Sequence, residues 1–334
     1  MSVVLCLGAC GRIGFDPSSD VTADASSDSQ DGSALVDART GMWTMQNPAT
    51  KPVGVSQVAM EYDPIRQRVM LFGGGNVLPA PSGGFYEWDG TDWTNRSAVG
   101  PSARYMTQIA YDTNRSRLVI FGGYTGAGGN YRNDTWEWDG AAWANRTPAG
   151  TNPSIRAYSA FAFDSVRNVT VMFGGFAGTG SYNDTWEWDG TTWTLRNPVV
   201  RPPNRYDSAM AFDPLRGRMV LFGGNMNAVA LDDTWEYDGT TWTQITPAVS
   251  PQRRADHDMV FDSIRGRILV TGGVGFSSPT MDLWEWDGTT WTEVIVPNPP
   301  VSRFEPGVAF DPARGLLLFG GKLGASYIDE TWTF

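Results

Sequence analysis

Three acidic side chains recur at one place in a repeated pattern, and they are the residues best suited to chemistry. Asp207, Asp256 and Glu305 each follow an arginine by two residues and are spaced 49 residues apart. Asp258 and His257, the one histidine of the chain, lie beside the second of them. Clustered carboxylates suit a hard cation or a ligand with a cationic or polyol group, and they can also serve as general acid and base.

Two plainer explanations compete with a binding site. Each acid could pair with the arginine two residues before it, or simply be solvated. Zinc is disfavoured because the chain has one histidine and only two cysteines, Cys6 and Cys10, neither of which we expect to stay free. We therefore expect no cofactor, with Ca²⁺ as the one cation that these carboxylates could hold.

A repeat positions these residues. Gly-Gly pairs recur at intervals of 48 to 52 residues, beginning at Gly73, Gly122, Gly174, Gly223, Gly272 and Gly320. An apolar run precedes each pair, and a variable loop follows it. The loop leads into a motif such as Asp134-Thr135-Trp136-Glu137-Trp138-Asp139-Gly140, and one more tryptophan closes the unit. Self-similarity at such a period indicates a repeat architecture.

The unit resembles the kelch repeat, whose four strands a to d form one blade. The resemblance covers residues 41–334 and implies an all-β fold, a six-bladed kelch-type β-propeller. Asp-Gly pairs between strands c and d are typical of hairpins, and Asp213-Pro214 begins a tight turn between strands a and b. The chain ends after strand c of blade 6, whereas Trp43-Thr44-Met45 matches a strand d. We therefore expect residues 42–46 to pair with Glu330 to Phe334 and to complete blade 6.

Most remaining side chains are explained by the repeat. All 15 tryptophans fall in columns of strands c and d, so none is spare for stacking on a ligand. Arginine opens strand a in every blade but the first, where Val55 stands, and glutamate occupies mid-strand c in every blade but the sixth, where Thr333 stands. This shared exception predicts ion pairs between neighbouring blades, namely Glu87–Arg104, Glu137–Arg156, Glu187–Arg205, Glu236–Arg254 and Glu285–Arg303. The functional alternative is that the arginines form an anion or acidic-peptide site, as in some kelch proteins.

Strand a is innermost in a propeller, so Asp207, Asp256 and Glu305 should meet at one mouth of the central channel, beside Tyr158 of the preceding blade. Strands alternate in direction, so this mouth should lie on the face that carries the variable loops between strands b and c. Function on a rigid scaffold usually resides in such loops. Their aromatic residues complete the candidate ligand-binding set: Tyr124, Tyr131, Phe176 and Tyr182.

The N-terminus has a different character. Leu7-Gly8-Ala9-Cys10 follows a short apolar stretch and resembles a bacterial lipobox, which implies that Cys10 carries a lipid and that Cys6 leaves with the signal. Residues 11–40 are rich in Ser and Asp and predict a flexible acidic tether. We thus expect residues 1–10 as signal, 11–40 as tether and 41–334 as propeller, located in the cell envelope, at the outer membrane or cell surface.

The charge balance restricts the function. With 36 acidic against 25 basic residues, the chain is a poor partner for nucleic acid, whose phosphates require Lys and Arg. We expect a monomeric, non-catalytic binding or scaffold module for a protein or carbohydrate ligand, in contact with the membrane only through the lipid. The alternatives are a metal-free carbohydrate isomerase or hydrolase that uses the carboxylates at the mouth, and a purely structural envelope protein.

Overall fold

The computed structural model describes residues 41–77, 80–97, 99–126, 130–275 and 278–334. Cys10, the signal and the tether lie outside the described residues, and so do the central glycines of the loop between Tyr124 and Tyr131. The described residues form six antiparallel sheets of four or five strands and three two-stranded hairpins, and they contain no helix. Within that part of the chain, nothing helical is long and apolar enough to cross a bilayer.

Each sheet is one blade with strands in the order a, b, c, d. Blade 1 comprises Ser56–Asp63, Arg68–Val77, Phe85–Trp88 and Trp93–Asn95, and blade 2 comprises Gln108–Asp112, Arg117–Phe121, Thr135–Trp138 and Trp143–Asn145. Blade 3 comprises Ala160–Asp164, Val169–Phe173, Thr185–Trp188 and Trp193–Arg196, and blade 4 comprises Ala209–Asp213, Arg218–Phe222, Thr234–Tyr237 and Trp242–Ile245. Blade 5 comprises Ala255–Asp262, Arg267–Val274, Leu283–Trp286 and Trp291–Val294. Blade 6 comprises Gly307–Asp311, Gly315–Phe319, Thr331–Thr333 and the N-terminal Thr44–Gln46.

Short two-residue strands extend the loops between strands b and c. Ala80–Pro81 pairs with strand b of blade 1. Three further loops form small hairpins, which are Phe176–Ala177 with Gly180–Ser181, Asn225–Met226 with Val229–Ala230, and Lys322–Leu323 with Ser326–Tyr327. These additions give the variable loops a defined shape on one face of the propeller.

The N-terminal strand closes the ring, as the sequence predicts. Thr44 pairs with Thr333, Met45 with Trp332 and Gln46 with Thr331, in antiparallel register. Trp43, only 4% exposed, packs on the Phe334 ring at 5.3 Å and joins the apolar cluster between blades 5 and 6. Because closure pairs the last strand c with a strand d from the other end of the chain, no blade of the ring is left short of a strand.

The core consists of six apolar clusters, one at each junction between blades. At four junctions, the strand d tryptophan donates its indole N–H to a threonine at the start of the neighbouring blade's strand c, at 2.8 to 3.0 Å: Trp93 to Thr331, Trp193 to Thr135, Trp242 to Thr185 and Trp291 to Thr234. The other two junctions carry Phe85 and Leu283 in place of the threonine. There, the indoles of Trp143 and Trp43 pack against apolar neighbours.

The predicted ion pairs between blades are wrong. Each strand a arginine instead binds an acid just before strand c of its own blade, at 2.6 to 2.8 Å: Arg104 with Asp134, Arg156 with Asp184, Arg205 with Asp233, Arg254 with Asp282 and Arg303 with Glu330. The arginines are at most 1% exposed, so they do not form a surface anion site either. The strand c glutamates bind other arginines of their own blades, for example Glu137 with Arg115 and Glu285 with Arg265.

The correct pairing also explains the exception in blade 1. Where other blades have arginine and aspartate, blade 1 has Val55 and Gly84, so both partners are replaced within the same blade. The loss of only one partner would leave a buried charge uncompensated, which typically costs about 3–5 kcal/mol. Thr333, whose coincidence with Val55 suggested the pairing between blades, occupies the strand c position of Glu87, which belongs to a different set of contacts.

Blade 1 therefore predicts the outcome of a double-mutant cycle on blade 4. Asp233→Gly alone should destabilise the protein by about 3–5 kcal/mol, because Arg205 is then buried without its partner. Adding Arg205→Val, which recreates the combination of blade 1, should recover a large part of that loss. Urea unfolding of the two single variants and the double variant measures the coupling. Strictly additive losses would contradict the assigned pair.

The same pair predicts acid sensitivity. Burial tends to raise the pKa of Asp233, but the hydrogen bonds and charge of Arg205 and the indole of Trp235 outweigh burial and hold the pKa below its usual value. A folded-state pKa below the unfolded one adds stability above the unfolded value, and this stability is lost as the pH falls through the folded pKa. The cycle should therefore show its full coupling at pH 7 and a reduced coupling toward pH 3.

Candidate functional site

Six residues that open the inner strands form a ring around one end of the channel. They are Gln57, Met106, Tyr158, Asp207, Asp256 and Glu305, one from each blade, and all have a positive φ of 54 to 60°. In five described contacts the backbone N–H of one member donates to the carbonyl of its neighbour, at 3.1 to 3.3 Å. Left-handed backbone is unfavourable for such residues and costs about 1–3 kcal/mol each, so the surrounding structure must enforce it. We call these six residues the rim.

The rim lies on the face with the variable loops. The residue before each of three rim members, which are Tyr105, Ala157 and Tyr206, bridges to the first residue of its blade's loop between strands b and c. The turns between strands a and b lie at the opposite end of the inner strands, as Asp63 and Asp262 illustrate. One cavity of about 440 Å³ extends between these ends, lined by the inner strands of all six blades.

The structure brings the three rim acids together. Asp207 and Asp256 lie side by side on neighbouring blades, and each affects the pKa of the other. Glu305 accepts a hydrogen bond from the Gln57 amide at 2.6 Å, and Asp207 accepts a long one from the Asn225 amide at 3.4 Å. Among the described residues, no arginine or lysine lies within 4 Å of these carboxylates, so the plainer explanation that the neighbouring arginines neutralise them is wrong.

Burial raises the pKa values of all three rim acids; repulsion adds to the shift of Asp207 and Asp256, whereas hydrogen bonds and the charge of Lys322 oppose it at Glu305. Burial, followed by the charges of Asp256 and Glu305, raises the pKa of Asp207 well above its usual range. Burial and the charge of Glu305 raise the pKa of Asp256 to about 7. Burial also raises the pKa of Tyr158, and the three rim acids raise it further, which places the phenol next to all three carboxylates.

His257 and Asp258 do not join the rim. The His257 ring turns between blades 4 and 5, packs edge-on against Phe222 at 5.6 Å and is 7% exposed. Burial and the charge of Arg254 lower the pKa of His257 to about 3, so the imidazole is neutral. Asp258 lies two residues further along strand a, below the rim, and lines the same cavity. The side chains of His257 and Asp258 point in different directions because side chains alternate along a strand.

The predicted loop aromatics connect to the rim through a chain of rings. Centroid distances of 4.9 to 6.1 Å link Tyr105, Tyr124, Tyr131, Phe176, Tyr206 and Tyr158 in that order. We call these six residues the aromatic arc. It spans blades 2 to 4, and all its members except Tyr105 are partly exposed. Tyr182 is separate, because its ring lies under the Arg156 guanidinium at 4.0 Å.

Sequence reasoning missed two functional elements. Tyr105 and Tyr206 were not selected, although each precedes a rim residue and completes the aromatic arc. Glu61 is not among the predicted site residues, yet it lines the channel with Asp258. The repeat alignment could have identified Glu61, because the equivalent residue of every other blade is alanine or valine.

The described residues contain no group of three or more His, Cys, Asp or Glu side chains arranged to hold a metal ion. The rim carboxylates come from three consecutive blades and line the same cavity. The arrangement can therefore bind a group that carries hydrogen-bond donors or positive charge and that is larger than a single ion.

Comparisons with known proteins agree with this architecture. Residues 65–201, about two fifths of the chain, match a family model described as the KLHDC2/KLHL20/DRC7 Kelch-repeats domain. A solved structure entitled "Structure of YjhT" superposes with a TM-score of 0.66 at 15% identity, and covers 85% of this chain and 95% of that chain. No curated protein sequence matches the chain significantly. At this identity the structural likeness shows the fold alone, which is a six-bladed β-propeller, and residues 65–201 are similar to kelch repeats.

The raised pKa of Asp256 predicts how stability depends on pH. An unfolded aspartate loses its proton near pH 4, whereas folded Asp256 retains it to about pH 7. The folded state binds more protons in this window, so the wild type should lose stability as the pH rises through it. Asp256→Asn removes the charge and should raise the melting temperature at pH 8 by about 2–4 °C, with little change at pH 4.

Differential scanning calorimetry at pH 4 and pH 8 measures the effect. Asp232→Asn is the matched control, since Asp232 is exposed and its side chain should contribute little at either pH. A loss of stability at pH 8 for Asp256→Asn would contradict an uncompensated rim charge.

Proposed function

We propose that this propeller is a binding module that holds its ligand at the rim and along the aromatic arc. The ligand is a protein or a glycan that presents a cationic or polyol group to Asp207, Asp256 and Glu305. One observation carries this proposal. The cavity is lined by carboxylates, and neither arginine nor lysine is among its lining residues.

Uncompensated carboxylates in a cavity are costly, because removal of charge from water is repaid only by a partner. Every blade from the second to the sixth provides a suitable arginine, but an acid of the same blade already binds it. The rim acids are therefore available to an external partner. Alanine at the rim positions would make the folded protein more stable than these acids do. Acidic residues that lower stability are typical of functional sites.

The aromatic arc supplies the second half of the site. Aromatic faces attract cations and pack against apolar ligand surfaces, and tyrosine adds a hydroxyl for hydrogen bonds. Because the arc ends at Tyr158, next to the rim acids, one ligand can contact both. The strands hold the rim rigidly, so little ordering entropy is lost there on binding.

One observation supports an alternative function. The pKa values of Asp256, Asp258 and Glu61 all lie at about 7, where a carboxyl group is present in both protonation states at neutral pH. Such groups can act as general acid and base, so a metal-free carbohydrate isomerase or hydrolase is the second candidate. Turnover of a bound sugar would distinguish it from a binding module.

A glycan and peptide binding screen, followed by calorimetry on the best ligand, tests the main proposal. Asp207→Asn combined with Asp256→Asn should weaken binding at least tenfold, and Tyr131→Ala should weaken it several-fold. Leu215→Ala is the control, because Leu215 is exposed in a turn on the opposite face. If the double variant keeps its fold and binds like the wild type, the rim is not the site.

We further propose that the protein is a monomer tethered by lipid at Cys10 in the cell envelope, at the outer membrane or cell surface. The support is the likeness of Leu7-Gly8-Ala9-Cys10 to a lipobox, followed by the acidic stretch of residues 11–40. A flexible tether would leave the loop face free to meet its ligand.

Metabolic labelling with palmitate tests the anchor. In a bacterial host, Cys10→Ser should abolish incorporation of label and release the protein from membranes. Cys6→Ser is the matched control and should leave labelling of the mature protein unchanged. Equal labelling of both variants would contradict lipidation at Cys10.

A further inference from the structure

Below the rim, two further carboxylates line the channel. Asp258 lies on strand a of blade 5 and Glu61 on strand a of blade 1. Both line the same cavity as the rim acids. The repeat does not require either of them. The residues equivalent to Asp258 are Ala59, Gln108, Ala160, Ala209 and Gly307, and those equivalent to Glu61 are Ala110, Ala162, Ala211, Val260 and Ala309.

The acids occupy three successive levels along the channel. Counted back from the aspartate that ends each inner strand, Asp256 is six residues away, Asp258 is four and Glu61 is two. Two residues of a strand advance by about 7 Å. Negative charge is therefore repeated at intervals of about 7 Å from the rim inwards.

No basic group neutralises these inner acids. Asp258 accepts hydrogen bonds from the backbone N–H groups of Met259 and Val308, both at 3.0 Å, and Glu61 accepts one from Tyr62 at 2.9 Å. The other titratable groups of the cavity wall are the rim acids, the neutral His257 and three tyrosines, Tyr62, Tyr111 and Tyr158. Burial raises the pKa values of Glu61 and Asp258 to about 7, and the charge of Asp258 adds to the shift of Glu61.

The spacing favours an extended cation over a compact one. A single metal ion requires its ligands within about 2.6 Å and cannot contact levels about 7 Å apart. An alkyl chain of four methylene groups separates its two terminal nitrogens by about 6 Å, given single bonds of about 1.5 Å. In the other blades, the residues at the levels of Asp258 and Glu61 are mostly alanine, which leaves room for methylene groups and presents no competing charge.

We propose that the channel binds a linear aliphatic polyamine, with one ammonium group at the rim, the next at Asp258 and, in a longer polyamine, a third at Glu61. This proposal rests on the proposed function of the rim and specifies its ligand class. Each ammonium group donates up to three hydrogen bonds, which satisfies carboxylates from different blades at one level. The apolar chain between the ammonium groups packs along the channel wall.

Calorimetry on the full chain at pH 8 tests the proposal with three probes, which are butylamine, 1,4-diaminobutane and spermidine. The diamine should bind at least tenfold tighter than the monoamine, and spermidine at least as tightly as the diamine. Glu61→Gln combined with Asp258→Asn should reduce diamine affinity to the level of butylamine, while butylamine itself binds unchanged at the rim. Equal affinity of monoamine and diamine for the wild type would overturn the proposal.

A measurement on the wild type tests the proposal even if the double variant does not fold. Bound ammonium stabilises the ionised carboxylates, so diamine binding at pH 6.5 should release protons, detected as a dependence of the binding heat on the ionisation heat of the buffer. Binding should also weaken as the pH falls below 7. Binding without proton release would contradict occupation of the inner level.

The outcomes separate the two proposals. If the ligand found by screening needs Asp207 and Asp256 but no amine binds, the polyamine assignment fails and the binding function of the rim stands. If the rim variant leaves every ligand unaffected, the rim itself is not the site, and both proposals fail.

Discussion

The structure depends on closure of the ring by Thr44–Gln46. Six blades pack face to face only if the last blade has four strands, and its fourth strand comes from the other end of the chain. Closure brings the first blade against the sixth, where the N–H of Gln57 donates to the carbonyl of Glu305 and the Trp93 indole donates to Thr331. The rim and the channel exist because this junction is made.

The distribution of charge follows from the same geometry. Each buried arginine is held inside its own blade by contact with an acid and by a bond to a glycine carbonyl, as for Arg205 with Asp233 and Gly223. The contact with the acid is bidentate in blades 2 to 5, and Arg303 of blade 6 makes one hydrogen bond to Glu330. The inner strands contribute no arginine or lysine to the channel. In a single repeat these acidic side chains would be exposed to water. The closed ring brings them into one cavity, where burial raises their pKa values and repulsion adds to the shift of Asp207 and Asp256. The binding site is thus a property of the closed ring.

Much of this could be predicted from the sequence. The Gly-Gly and Trp columns predict six blades, and the match of Trp43-Thr44-Met45 to a strand d predicts the closure. The positions of Asp207, Asp256 and Glu305 in the repeat place them at one end of the channel. These predictions succeed because they concern backbone pairing, which the periodic pattern determines.

Side-chain partners were harder to predict. The pairing of strand c glutamates with arginines of the next blade rested on the coincidence of Val55 with Thr333, whereas Val55 and Gly84 of the same blade were the informative pair. His257 was placed with the rim because it adjoins Asp256, but strand alternation directs it against Phe222. The aromatic arc joins residues from three blades, and no spacing along the chain encodes those ring contacts.

The central claim is that, among the described residues, Asp207 and Asp256 lie together at the rim without a basic partner. Carbon-detected NMR of ¹³C-labelled aspartate follows the carboxyl group of each residue through a pH titration, and the Asp256→Asn variant assigns its signal. The structure predicts that Asp256 titrates near pH 7, and that Asp207 titrates well above the usual aspartate range. Titration of both residues near pH 4, as for solvated or arginine-paired aspartates, would contradict the account.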